Sequence, residues 1–158
     1  MALVDYIKDL RQAVGNMPLI ICAVGVIVSD SNNKILLIKR SDDGNWCIPG
    51  GVMDVGESIQ ETAIREVFEE TYMNIGELKL LNVYSGKQQH HIYPNGDEVY
   101  FVNVVFFTST YSGQFKPDGI ESDEIRFYSI DELPDKISPT NKPFIEDFKK
   151  LSSKNQSL

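Results

Sequence analysis

The chain has 158 residues, 42% of them hydrophobic, enough to bury a substantial core in one soluble globular domain. Its formal net charge of −8 excludes general nucleic-acid binding, which needs a basic surface to offset phosphate. A small anionic ligand stays open, because a bound cation can bridge acid to phosphate.

The start MALVDYIKDL has no cationic segment followed by an apolar run, so it is not a signal peptide. No apolar stretch approaches the roughly 18 residues of a membrane span, so a cytoplasmic protein without a membrane partner is expected. Val4, Ile7, Leu10 and Val14 recur at helical spacing and predict an N-terminal helix within residues 1–16. It would cap the domain or pair subunits of a homodimer. PLIICAVGVIVSD is a β-rich run, and NKILLIKR reads as its hairpin partner across the turn SDSNN. Cys22 and Cys47 have apolar neighbours (ICAV, WCIP), which points to two buried reduced thiols. SDDGNWCIPGG is a loop, and residues 58–71 form the strong helix of the middle.

Residues 77–111 are rich in strand residues and break at YPNGDE, where Asn95-Gly96 predicts a two-residue hairpin turn. DEIRFYSI predicts a further strand, and FIEDFKKLS a C-terminal helix within 142–152. No repeat, low-complexity block or linker interrupts the chain, so residues 1–158 read as one domain. Strands and helices mix without regular alternation. This favours an α+β fold with a mixed sheet over a doubly wound parallel sheet.

The middle helix carries the chemistry. Ser58 and Glu61 form a capping-box pattern at its start. Ala63, Ile64, Val67 and Phe68 form an apolar arc, and Glu66, Glu69 and Glu70 lie beside it. Like charges at these spacings repel, and carboxylates late in a helix oppose its dipole. Arg65, four residues from both Glu61 and Glu69, cannot neutralise them all. A solvated charged face is the ordinary explanation of such a cluster. Crowding at the edge of the buried face fits a hard divalent cation better, since such ions take oxygen ligands. Gly50 and Gly51 permit an open backbone whose carbonyl could face the same ion.

The stretch from Gly51 through Glu57 to REVFEE resembles the signature of the Nudix hydrolase family, MutT-like proteins, over 23 residues. The resemblance implies an α/β/α sandwich around a mixed sheet. It also implies metal-dependent hydrolysis of a small nucleotide, a nucleoside diphosphate linked to another group, with Mg2+ or Mn2+. Carried over, Glu66 and Glu70 are metal ligands and Glu69 a further ligand or base. The Gly50 carbonyl completes the shell, Arg65 holds a glutamate in place, and Glu57 binds metal through water or anchors the loop. Glu121, with Glu124 second, is a candidate base from the loop before DEIRFYSI. The family pattern has glycine where this chain has Tyr72, so the helix is expected to run on toward Asn74 or Gly76.

Substrate contacts are read more thinly. Lys39 or Arg40 could reach a phosphate. Tyr84, Tyr93 and Tyr100 offer stacking surfaces, with packing in strands as their ordinary role. His90 and His91 face opposite ways on a strand and read as solvated edge residues. The leading activity is cleavage of an ADP-ribose or nucleotide-sugar type of substrate. The alternatives are pyrophosphohydrolysis of oxidised nucleoside triphosphates and non-catalytic nucleotide sensing.

Overall fold

The computed structural model describes residues 5–117 and 119–156; Val4, first in the N-terminal helical pattern, lies outside them. Helix α1 (Tyr6–Val14) starts where the Asp5 side chain accepts the Lys8 N–H and stops at Gly15, whose φ is 66°. The strands are β1 (Leu19–Val28), β2 (Lys34–Arg40), β3 (Trp46–Cys47), β4 (Gly50–Val52), β5 (Asn74–Ile75), β6 (Lys79–Tyr84), β7 (His90–Ile92), β8 (Glu98–Thr108), β9 (Tyr111–Ser112) and β10 (Ser122–Ser129). Helix α2 (Ile59–Thr71) separates β4 from β5, and α3 (Lys142–Gln156) runs past the predicted end at 152.

The main sheet runs β4-β1-β8-β6, with β7 also paired to β8. β1 lies parallel to β8 and antiparallel to β4, so the sheet is mixed. A smaller sheet runs β10-β2-β3 and a two-stranded one pairs β5 with β9. The expected hairpin of β1 with β2 does not form. β8 takes one edge of β1 along its whole length and β4 takes the other over Ala23–Gly25, while β2 joins a different sheet and meets the end of β1 through the bridge Ser29–Ile35.

Alternation along the buried strands sorts the core into two faces. Val24, Val26 and Val28 of β1, Leu36 of β2, and Val104 and Phe106 of β8 pack with Ala63 and Val67 of α2. Ile27, Ile35, Leu37 and Val105 pack with Phe144, Ile145 and Phe148 of α3 on the opposite face. This is the expected sandwich. Ile7, Leu10 and Val14 of α1 cover Leu19, Ile21 and Val99 at the far end of the sheet.

The Asn95-Gly96 turn is longer than predicted. Tyr93 N–H donates to the Asp97 carbonyl (2.9 Å) and Gly96 N–H to the Tyr93 carbonyl (2.9 Å). Pro94, with its fixed φ, opens a turn closed by Gly96 at φ 90°, giving a three-residue loop. Cys47 is buried and Cys22 half-buried, both as free thiols. Among the described residues no helix is long and apolar enough to cross a membrane.

Candidate active site

Helix α2 begins as its sequence directs. Ser58 Oγ accepts from Glu61 N–H (3.2 Å), and the Glu61 carboxylate accepts from Ser58 N–H (2.7 Å). The buried stripe differs from the predicted arc. Ala63 and Val67 are buried, but Ile64 and Phe68 are 46% and 45% exposed. Thr62 and Thr71 are buried in their place. The Thr71 hydroxyl donates to the Val67 carbonyl (2.6 Å) and the Thr62 hydroxyl to Glu57 (2.8 Å), so neither is an unsatisfied polar group. Glu66 and Glu70 therefore belong to the inward-facing side of the helix and lie against β4.

The helix also stops where the family glycine would stop it. Tyr72 adopts the left-handed conformation, φ 62° and ψ 13°, and its N–H donates to the Phe68 carbonyl (2.8 Å). The expected extension toward Asn74 does not occur. The Tyr72 ring meets Phe68 edge-on and lies under the Lys116 ammonium, 4.8 Å from the ring centre. Asn74 is already in β5, paired with Ser112.

β4 receives the two glutamates differently: Gly51 leaves room for Glu66, and Gly50 offers its N–H to Glu70. A Cβ at Gly51 would collide with the Glu66 carboxylate, and one at Gly50 with the Val24 carbonyl. Gly50 N–H donates to Glu70 Oε1 (2.8 Å). The Glu66 side chain is 14% exposed. Burial pushes its carboxyl up to about 7, against the opposing pull of Arg65. Burial also raises Glu70 well above the usual carboxylate range, eased by the Gly50 N–H. Glu66 and Glu121 each raise it further, so the acids share one field.

Arg65 ties this cluster to the loop before the helix. Its Nε and Nη2 grip the Glu57 carboxylate (2.5 and 3.0 Å). Nη1 donates to Glu66 (2.8 Å) and Glu69 (3.2 Å), and Nη2 to the Val52 carbonyl (3.1 Å). Glu57 also accepts from Thr62 and from Asp54 N–H (3.1 Å). The Arg65 hydrogen bond, above all, holds the Glu57 carboxyl down at about 2. Of its two expected roles, the geometry serves the anchor of the loop.

A cavity of about 580 Å³ opens over Glu66 and Glu70 and is also lined by Arg40, Tyr93 and Glu121. Arg40 is held by Asp42 through two hydrogen bonds (2.9 and 2.6 Å), and this pairing raises its pKa further. His91 and Tyr93 face a contiguous smaller recess that includes Arg40 and Glu70. Burial, then Arg40, lowers the His91 pKa, so this imidazole is biased to neutral. The reading of both histidines as solvated is thus corrected. His91 is half-buried at the recess with its ring edge-on to Tyr93, 4.6 Å away. His90 is half-buried on Glu98 (2.7 Å) and stacks with Tyr100. The strand's alternation gave opposite faces, but which face met the cavity depends on the pairing with β8.

Other candidates lie apart. Lys39 pairs with Glu124 (3.6 Å) and lines none of these cavities. Tyr84 donates its hydroxyl to Asp147 of α3 (2.7 Å) and packs on Phe144. Glu121 reaches the cavity, whereas Glu124 is taken by Lys39 and Arg126.

Among the described residues no three carboxylate, imidazole or thiol groups converge closely enough to hold an ion as they stand. The chemistry of the donor set nonetheless fits a hard divalent cation. Burial raises both inward carboxylates, Glu66 raises Glu70 further, Glu121 adds to both, and Arg65 offsets only part of this at Glu66.

The NUDIX domain family model matches residues 21–148. A Bacillus subtilis protein provisionally named 8-oxo-dGTP diphosphatase is 37% identical over 124 residues, 78% of this chain and 76% of that one. An ADP-ribose pyrophosphatase of Methanocaldococcus jannaschii is 33% identical over 127 residues, 78% and 69% of the two chains. The crystal structure of a MutT Nudix hydrolase from Burkholderia pseudomallei superposes with a TM-score of 0.70 at 25% identity, covering 81% of this chain and 97% of that one. The glutamates of α2, the Gly51 of β4 that admits Glu66, and these likenesses have one explanation: the chain belongs to the Nudix family, as a MutT-like hydrolase of phosphoric anhydrides.

Proposed function

We propose that this enzyme hydrolyses the diphosphate linkage of a nucleoside diphosphate derivative, of ADP-ribose or nucleotide-sugar type, with Mg2+ or Mn2+. The observation that carries the reading is the pair of inward carboxylates, Glu66 and Glu70, facing a cavity with Arg40 and Glu121 on its walls. Glu66 and Glu70, with Glu69 and the Gly50 carbonyl, would hold the metal. When bound, it neutralises diphosphate charge and lowers the pKa of a bound water.

Arg65 orients Glu66 and Glu69 from behind and leaves their remaining oxygens for the ion. Glu57 fixes Arg65 in turn. Arg40 faces the cavity, pre-positioned by Asp42, and binds a phosphate oxygen. Glu121 takes the proton of the attacking water. Tyr93 offers its ring to the nucleoside or to the group beyond the second phosphate.

The 37% identical relative named for 8-oxo-dGTP favours a second reading, pyrophosphohydrolysis of oxidised nucleoside triphosphates. The carboxylate set speaks against a sensing module, which needs no metal site. The test is a substrate panel of ADP-ribose, UDP-glucose, dGTP and 8-oxo-dGTP, scored by kcat/KM with Mg2+ and with chelator. The diphosphate derivatives should rank first, and chelator should abolish turnover. Full activity in chelator refutes the metal assignment; triphosphates ranking first establish the second reading.

A further inference from the structure

We infer that the groove between α1 and the main sheet is the subsite for the group beyond the second phosphate, and that it takes a neutral, ring-bearing group such as a sugar. This rests on the diphosphate reading above. The groove encloses about 920 Å³ and shares Val52, Tyr93 and Glu121 with the cavity over Glu66 and Glu70. A substrate whose diphosphate lies at the glutamates can therefore continue into it without leaving the protein.

The lining decides what fits. Ile7 of α1, Ile21 of β1, and Phe101 and Val99 of β8 give an apolar wall that ends at Tyr93. The groove's charges are mostly spent on the protein itself. Arg11 donates to the carbonyls of Gly15 (3.1 Å), Met17 (2.7 Å) and Glu98 (2.7 Å) and sits 3.7 Å from the Asp97 carboxylate. Its side chain is only 11% exposed. The Asp5 carboxylate is occupied by Lys8 N–H (3.2 Å). Lys8 then stands as the remaining cation of the wall, against Glu121. A terminal phosphate finds no cationic cluster there. A sugar ring finds an apolar and aromatic face with the exposed amide of Gln12 beside it.

Arg11 also explains why the groove keeps its width. The carbonyls it holds belong to the end of α1, to the lead into β1 and to the start of β8. It fastens the helix to the hairpin that carries His91 and Tyr93. Arg11 is thus a positioning residue for the wall, not a ligand of the substrate.

Hydrolysis of ADP-ribose adds water across the P–O–P bridge and gives AMP and ribose 5-phosphate. The test fills the groove with Gln12→Trp, at an exposed position of α1, and with Lys8→Trp as a second variant on the same wall; Ala13→Trp, exposed on the same helix but outside the groove's lining, is the control. In variants whose melts match wild type, the KM for ADP-ribose should rise about tenfold or more. Inhibition by ribose 5-phosphate should weaken to a similar degree, inhibition by AMP should stay, and Ala13→Trp should behave as wild type. Unchanged KM and unchanged ribose 5-phosphate inhibition in both tryptophan variants overturn the subsite while leaving the diphosphate reading intact. Equal loss of AMP and ribose 5-phosphate inhibition overturns it too. Wild-type enzyme that cleaves triphosphates and no diphosphate derivative refutes the function reading instead, and the subsite with it.

Discussion

Tyr72 occupies a backbone conformation that costs an ordinary residue energy, and a pair of substitutions isolates that cost. With φ at 62° the residue is left-handed, worth roughly 1 kcal/mol or more against any side chain with a Cβ. The ring offsets it. Its edge contact with Phe68 contributes about 0.5–1.5 kcal/mol. The Lys116 ammonium over its face adds about 0.5–1 kcal/mol. Tyr72→Ala loses both contacts and keeps the strain, so it should fall below wild type by about 1–2.5 kcal/mol. Tyr72→Gly loses the contacts but sheds the strain, so the relief offsets part of the loss and it should fall at most about 1.5 kcal/mol below wild type.

The glycine variant should therefore exceed the alanine variant by about 1 kcal/mol, roughly 2–4 °C in Tm for a chain of this size. The sign is diagnostic, because inside a helix glycine is worse than alanine by about the same amount. Thermal melts by circular dichroism decide it. An alanine variant as stable as the glycine variant, or more so, would refute the left-handed stop. Affinity for Mg2+ should change little in either, since Glu66, Glu69 and Glu70 precede the turn.

Glu70→Gln keeps the acceptor for Gly50 N–H and removes the inward charge. Turnover should drop about 10²-fold or more, near 2.7 kcal/mol at the transition state, while metal-free Tm holds or rises; wild-type turnover would remove Glu70 from the site. Glu57 tests the anchor through pH. Its pKa is lowered from 4.5 to about 2, so its share of stability is complete above the ordinary value and is lost as pH falls through the lowered one. Glu57→Gln should flatten that part of the Tm–pH curve, and an unaltered acid limb would show that the Arg65–Glu57 grip contributes nothing to stability.

Much of this architecture is local chemistry and could be read from sequence. The capping box set the start of α2, the β-rich runs placed β1 and β2, and FIEDFKKLS placed α3. The failures of pairing share one cause. Pairing partners are tertiary facts: β1 pairs with β8 and β4 while β2 pairs with β10 and β3, and His91 meets the recess because of how β7 pairs with β8. Pro94 lengthened the hairpin turn for a local reason that the Asn-Gly signal outweighed.

Helix α2 shows how hydropathy misleads at a functional site. Hydropathy assigns isoleucine and phenylalanine inward and glutamate outward, yet Ile64 and Phe68 are largely exposed while Glu66 lies inside. The helix can afford this rotation because Thr62 and Thr71 bury their methyl groups and satisfy their hydroxyls within the helix and its cap. The gain is not stability. Burial holds the Glu66 carboxyl near 7, so in the metal-free protein stability is full below the ordinary carboxylate value and is lost as pH rises through 7. A bound cation would reverse that sign by favouring the charged form. Gly51 admits the Glu66 carboxylate where any side chain would evict it. A backbone shaped around a carboxylate that destabilises the fold at neutral pH is what a site built for a cation requires, and a solvated charged face would need none of it.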